Sequence, residues 1–562
     1  MLRNMRVVLV SLGLVLGAAG CNGFLTGDKL SSNPNSPSTA TIQTLFVAMQ
    51  GARFAQHEGP IAMLVCEWVQ TCGAVNGRFV ELGGRYNYGA NSNFGAEGGD
   101  WATIYTGGGL VDIRNIKAGA ISNGDSVYLG ITKIWESFTM GMAADMWSGI
   151  PYSQAGVSAT PDTDSEIGVY NAIQTLLTQA ISELTNDNVS THGPLSADLV
   201  FGRLSPGAQR SAWIATAWTL KARYWLHVVN AAANGKLPGL TAPQVYDSAI
   251  AAAMNGISDP TGKHDFHSAH FAATTQQNMW SQFQQFSGFG ADLEAGLPLV
   301  EYMKARNDPR LASYFCPFAS GSWAAGGKHV KGDRIVDANG NVEKVTAVAL
   351  PDSASGATQP TWPTVVGTTT TDNHVTWTLT NITPYGGDSF NAVVSPDSVS
   401  NYACLPPRFA PTAPVPYVTY AERELILAEA NSTTARGAGG NDATALGYLN
   451  AELAVPGSAS DTTLTALPAV VGVTGAALRD SIMLEKWVVM FQNIEGLLDY
   501  RRTCRPAITP VKGNFLSIAF VPGRLFYPQS ERNVNPAHIP LESAELAAGL
   551  RTQADVTTPC HP

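Results

Sequence analysis

Charge is scarce in this 562-residue chain. Asp, Glu, Lys and Arg make up 14% of it, with acidic residues exceeding basic ones 44 to 34. No cluster of Lys and Arg stands out, so the electrostatic footprint of a nucleic-acid partner is missing. Catalytic signatures are missing as well: there is no Gly-x-Ser-x-Gly elbow and no phosphate-cradling loop. A helical glycoside hydrolase needs two carboxylates facing each other across a cleft. Glu67, Asp100, Asp145 and Glu294 are available in number, yet none sits in such a signature. His264, His267 and His270 recur every three residues, which could place them on one helical face, but their Ser- and Phe-containing surroundings read as a solvated loop. The chain therefore reads as a non-enzyme with no metal and no cofactor. Past the first twenty residues no apolar run approaches the length of a membrane-spanning helix.

What is present begins at the N-terminus. Arg3 and Arg6 precede an apolar stretch over 7–16, and Gly17-Ala18-Ala19-Gly20 lead to Cys21. This is the layout of a secretory signal over 1–20. Ala-Gly before Cys21 points to a lipoprotein signal, with Cys21 acylated and residues 21–40, rich in Ser, Asn, Pro and Gly, serving as a tether. Ala18 stands where such signals more often carry Leu, and ordinary secretion is the alternative. Six cysteines remain after Cys21, an even number in an exported chain, so disulfides are expected. Cys66 and Cys72 are local to each other, Cys316 and Cys404 bracket a compositionally distinct stretch, and Cys504 and Cys560 could tie the tail to the Arg501-Arg502 region. Free buried thiols are the alternative.

Apolar residues at helical spacing predict helices over 41–56 and 60–72, then from Trp101 through Ile116, and over 127–146, 170–184 and 213–232. The same pattern predicts helices over 244–254, 293–305, 419–430, 443–454 and 476–500. Such a train, without long strand alternation, argues for a mostly α body of stacked helical hairpins over 41–562. Two regions break it. Residues 73–99, rich in Gly, Asn and aromatics, form a long loop of the kind that often carries function. Residues 327–380 hold short β-prone runs and an Asp337-Ala-Asn-Gly-Asn341 turn, which predicts hairpins in a small inserted β module.

Several ordered motifs carry a resemblance. Asn33-Pro34-Asn35-Ser36-Pro37 is an extended segment that cannot lie inside a helix. Asp145-Met-Trp-Ser-Gly149-Ile-Pro151-Tyr152 ends a long helix, with Gly149 suited to the position after the cap. Asn307-Asp-Pro-Arg-Leu311 starts a turn, and Tyr420-Ala-Glu422 through Glu429 forms a helix. Residues 485–506, EKWVVMFQNIEGLLDYRRTCRP, run from a buried face into what reads as a polar turn at Arg501-Arg502, where Asp499 would make an internal ion pair. Together these resemble the SusD-like (RagB/SusD) lipoproteins. The resemblance implies a tetratricopeptide-like helical scaffold with an irregular, ligand-bearing half. It implies capture of oligosaccharide or another polymer-derived nutrient at the outer membrane, facing the exterior, and delivery to a SusC-type TonB-dependent transporter. A surface adhesin or structural lipoprotein is the alternative in another class, with a helical glycoside hydrolase ranked behind it.

Sugars present hydroxyls around rings whose faces carry C–H groups, so a binding site needs aromatic platforms and amide or charged hydrogen bonders. Two loop regions offer them. Asn76, Arg78, Tyr86 and Tyr88 lie in the Gly-rich loop, and Asn278, Trp280 and Phe283 lie in a segment similar in placement to one near the family's ligand site. These seven residues are the expected ligand contacts.

Overall fold

A computed structural model describes residues 40–74, 79–86, 99–285, 292–390, 398–456, 464–511, 514, 516–555 and 560. The expected signal peptide, Cys21 and nearly all of the tether lie outside these residues, as do Asn76, Arg78 and Tyr88.

The predicted helices are present, most with boundaries shifted by a few residues. The chain begins with α1 (Ile42–Glu58), whose Thr41 side chain caps Thr44 N, and α2 (Pro60–Trp68), opened by a proline that needs no amide partner there. A short strand β1 (Cys72–Ala74) follows. Then come α3 (Gly99–Tyr105), α4 (Leu110–Ser122), α5 (Ser126–Trp147), α6 (Glu166–Asn186), α7 (Pro206–His227) and α8 (Ala242–Ala253). Helix α5 packs on α6, α6 on α7 and α7 on α8. After α8 the chain makes a long excursion before the helical train resumes.

That excursion is closed at its base by the antiparallel pairing of β2 (Phe266–His267) with β8 (Pro416–Val418). Inside it lie α9 (Met279–Gln285), β3 (Leu293–Ala295), α10 (Leu297–Ala305) and the inserted β module. The train resumes with α11 (Tyr420–Asn431), which packs on α8, α12 (Asp442–Leu453) and α13 (Gly475–Val489), ahead of α14 (Glu495–Thr503). Stacked helical hairpins thus form the scaffold, with the irregular half inserted between α8 and α11. Among the described residues no helix is long and apolar enough to cross a membrane.

The module contains β4 (Arg334–Val336), β5 (Val342–Val348), β6 (Thr369–Asp372) and β7 (Val375–Asn381), in the order β4-β5-β7-β6. Period-two alternation buries Ile335, Val345, Val375 and Trp377 with Trp362 in a core of its own. Disulfides join Cys66 to Cys72, Cys316 to Cys404 and Cys504 to Cys560. The middle bond staples the chain on either side of the module.

Three local expectations need correction. The helix predicted over 293–305 begins only at Leu297, where Pro298 marks its first turn, because 293–295 pair with β1 instead. The helix predicted over 476–500 is broken: Gln492 has φ 69°, and the Asn493 amide bonds the carbonyls of Pro416 and Tyr417 while its oxygen accepts Glu495 N. Gly149 follows the cap of α5, Ser148, as expected, but the positive φ, 70°, falls on Ser148. Arg501 and Arg502 form no polar turn: both lie in α14, 5% exposed.

Buried charge is the scaffold's distinctive feature. Arg502 forks onto Glu429 and reaches Asp499 at 2.6 Å, the internal ion pair expected of it, and Lys486 Nζ lies 2.7 Å from Glu429 and 3.0 Å from Asp499. Arg223 meets Glu422 at 2.6 Å, and His227 bridges Asp145 at 3.0 Å and Glu495 at 2.7 Å. These residues come from α5, α7, α11, α13 and α14. Burial raises a carboxylate's pKa, but Arg502 and Lys486 hold Glu429 down at about 2. Burial likewise opposes the charge on His227, yet Glu495 and Asp145 lift it to about 10.

Candidate functional site

Helix α1 places Val47, Gly51, Phe54 and Ala55 along one stripe, at the i, i+4, i+7, i+8 spacing of a helix face. A Cβ at Gly51 would meet nothing within 4 Å, so the stripe fronts open space. Over it runs the stretch 269–282. Glu58, at the end of α1 and 0% exposed, anchors that stretch: it accepts from Tyr417 Oη at 2.6 Å and faces His270 Nε2 at 2.9 Å. Phe271 N donates to Gln276 O and Gln277 Nε2 to Ala272 O, which holds the turn ahead of α9.

The result is a groove of about 320 Å³. Val47, Gly51, Phe54 and Ala55 form its floor, and Leu199, Ala269, Phe271 and Met279 its walls. Gln276, Gln277 and Gln282 add amides. Phe271 is 50% exposed, the one aromatic ring among the exposed large hydrophobic side chains of the described residues. Among the described residues no Asp, Glu, Lys or Arg lines the groove, and His270 is engaged with Glu58. Such a surface suits a neutral ligand with both C–H and hydroxyl faces.

The expected contacts are distributed differently. Asn278 is fully buried: its oxygen caps α9 by accepting Trp280 N at 2.8 Å, and its amide nitrogen donates to Ala413 O. Trp280, 0% exposed, packs edge-on against Phe409, with ring centroids 5.6 Å apart, and against Phe491. Tyr86 is 1% exposed at φ 57°, and burial drives its hydroxyl pKa up. These three side chains are packed inside the body and do not front the groove. Phe283 is half-buried, edge-to-face with Phe79 at 5.2 Å. The expected segment adjoins the groove, but whether each ring points in or out depends on packing partners hundreds of residues away.

Phe271, Gln276, Gln277, Met279 and Gln282 were not among the expected contacts. The available signal was a lone Phe in a polar run without helical period, followed by consecutive amides. The three histidines share no face: His264 pairs with Asp259, His267 lies buried in β2, and His270 is held by Glu58. His267 and His270 thus depart from the solvated loop expected for them. Glu67, Asp100, Asp145 and Glu294 do not line the groove. Among the described residues, Asp125, Asp187 and His192 lie close enough together for a metal. Their carboxylates already accept N–H groups of Ser126, Tyr128, Val189 and Gly193, a loop staple at the start of α5.

The SusD-like family model, described as "Starch-binding associating with outer membrane", matches residues 34–528. The chain belongs to the SusD-like family. Solved structures agree in fold. A chitin-binding protein superposes with a TM-score of 0.62 at 17% identity, covering 92% of this chain and 99% of its own. A chitin-binding SusD homolog from Flavobacterium johnsoniae gives 0.59 at 18%, over 92% and 99%. A SusD homolog from Bacteroides fragilis gives 0.60 at 16%, over 93% and 99%. No curated protein matches the chain. At these identities the likeness shows the fold alone.

Proposed function

We propose that this SusD-like protein captures neutral oligosaccharides at the outer surface of the outer membrane and passes them, chemically unchanged, to a SusC-type TonB-dependent transporter. The observation that carries the reading is the uncharged groove between α1 and 269–282, where the half-exposed Phe271 ring lies among three glutamine side chains. A pyranose ring can stack its C–H face on Phe271 while its hydroxyls exchange hydrogen bonds with the amides. The family description names starch and two solved relatives are chitin-binding, which sets the first ligands to try. Removal of residues 1–20 and acylation of Cys21 would hold the body at the membrane on the 21–40 tether, and the helical scaffold would form the outer wall of the capture site.

Calorimetric titration of the chain lacking residues 1–21 against chito-, malto- and xylo-oligosaccharides tests the capture step. Saturable binding with no sugar release, weakened by Phe271→Ala, is the expected result. Turnover of the oligosaccharide would overturn the binding-only reading. Loss of membrane retention in Cys21→Ser cells, and co-purification of a large β-barrel with the wild-type chain, test the anchor and the partner.

A further inference from the structure

The turn between β4 and β5 reads Asp337-Ala-Asn339-Gly340-Asn341-Val-Glu343, with an oxygen-bearing side chain at every second position of four. Pairing of Ile335 with Glu343 and of Val336 with Val342 fixes the register, and Asp337 N donates to Asn341 O at 2.9 Å. Cross-strand partners share a face, so Asp337, Asn341 and Glu343 lie together on the inner face of the hairpin. Gly340, at φ 82°, makes the reversal possible. Asp337 Oδ1 is used by the turn, accepting Asn339 N and Asn341 N at 2.8 Å each, whereas Oδ2 has only Asn341 Nδ2 at 3.4 Å.

Among the buried acidic side chains of the module, Glu343 stands apart from Asp337 and Asp372, which both accept hydrogen bonds. It is 0% exposed, its cross-strand neighbours Ile335 and Leu379 are apolar, and neither carboxylate oxygen has a hydrogen-bond partner among the described residues. Most other buried carboxylates among the described residues meet Arg, Lys, His or backbone N–H groups; both oxygens of Glu67 and of Glu452 also lack a hydrogen bond, but Glu452 has Arg310 3.7 Å away. Here burial, with the like charge of Asp337 beside it, pushes the Glu343 carboxyl up to about 7. A bare carboxylate in such a place is costly unless something neutralises it.

We propose that Asp337, Asn341 and Glu343 form a divalent-cation site at the tip of the β4–β5 hairpin, with Ca²⁺ as the fitting ion. The donors are all hard oxygens, with no Cys or His among them, and Glu343 can chelate through both oxygens. A cation there would also fasten the hairpin tip of a module that lies far from the groove in sequence and has its own core.

The test uses the chain lacking residues 1–21, stripped with chelator. Tb³⁺ luminescence sensitised by the module's tryptophans, and calorimetric Ca²⁺ titration, should both report one site per chain. Affinity between about 0.1 and 1 mM is the range of extracellular Ca²⁺ modules. Glu343→Gln keeps the shape of the buried side chain, and Asp337→Asn keeps the turn. Each should weaken binding on the order of tenfold or more while the far-ultraviolet circular dichroism in chelator stays unchanged. Absence of Ca²⁺ binding by the wild type at 10-fold above that range, or equal binding by both variants, would overturn the site and leave Glu343 a protonated buried carboxyl. If Glu343→Gln fails to fold, Asp337→Asn alone decides.

Discussion

Two regions treat polar chemistry in opposite ways. Among α5, α7, α11, α13 and α14, charged side chains are buried and pair with one another; between α1 and 269–282, the groove has an exposed aromatic ring and neutral amides. The first arrangement fixes the relative positions of helices, because each fork of Arg502 or Arg223 is satisfied only when its carboxylate lies on the right neighbour. The second leaves hydrogen-bonding groups near solvent. Residues that dominate the sequence motifs therefore belong mainly to the scaffold, and plainer residues of an irregular stretch line the groove.

The comparison can be broken most forcefully at Glu429. Glu429→Ala leaves Arg502 and Lys486 buried without that carboxylate and should cost about 3–5 kcal/mol in urea unfolding. A stable variant that loses only glycan binding would move this residue from scaffold to site. Next comes Trp280→Ala, expected to destabilise by about 3–5 kcal/mol through the cavity it leaves against Phe409 and Phe491. Unchanged stability with lost binding would show that the ring is a ligand platform after all.

A pH series sharpens the same contrast. The folded-state pKa of Glu429 and of Glu495 lies at about 2, below the ordinary 4.5, so their contribution is present above about pH 4.5 and lost as pH falls toward 2. That of His227 lies at about 10, above the ordinary 6.5, so its contribution is full below pH 6.5 and lost as pH rises toward 10. From these groups, urea midpoints should be highest between about pH 4.5 and 6.5. Affinity per folded molecule should stay flat across that window, since among the described residues no carboxylate, Lys or Arg lines the groove and its one histidine, His270, is held by Glu58. A steep affinity change there would mean a titrating group touches the ligand.

The smallest effects are expected in the groove itself. Phe271→Ala should leave the melting midpoint unchanged and weaken oligosaccharide binding by about 1–1.4 kcal/mol, five- to tenfold. Gln277→Ala should cost about 0.5–1 kcal/mol of binding, measured by the same titration. Equal affinity in both variants would place the glycan elsewhere on the molecule.

Helices were legible because burying one face of a helix imposes a 3.6-residue period, and Pro60, Pro206 and Pro298 mark first turns where a missing amide costs nothing. Hairpins in 334–381 were legible from turn residues and β-branched runs. The break at Gln492 was not, since it follows from Asn493 reaching β8, some 76 residues away. Nor was the strand at 293–295, which exists only because β1 lies beside it.

By itself, then, the sequence determined the family, the mostly helical body, the position of the β module and the stretch from which the groove is built, because period, turn chemistry and motif order are local properties of the chain. Tertiary structure alone decided which aromatic ring faces water. Trp280 and Phe271 lie nine positions apart in the same irregular segment, and only the former finds Phe409 and Phe491 waiting to cover it. Burial is a property of neighbours brought together by folding, and no local pattern records who those neighbours will be.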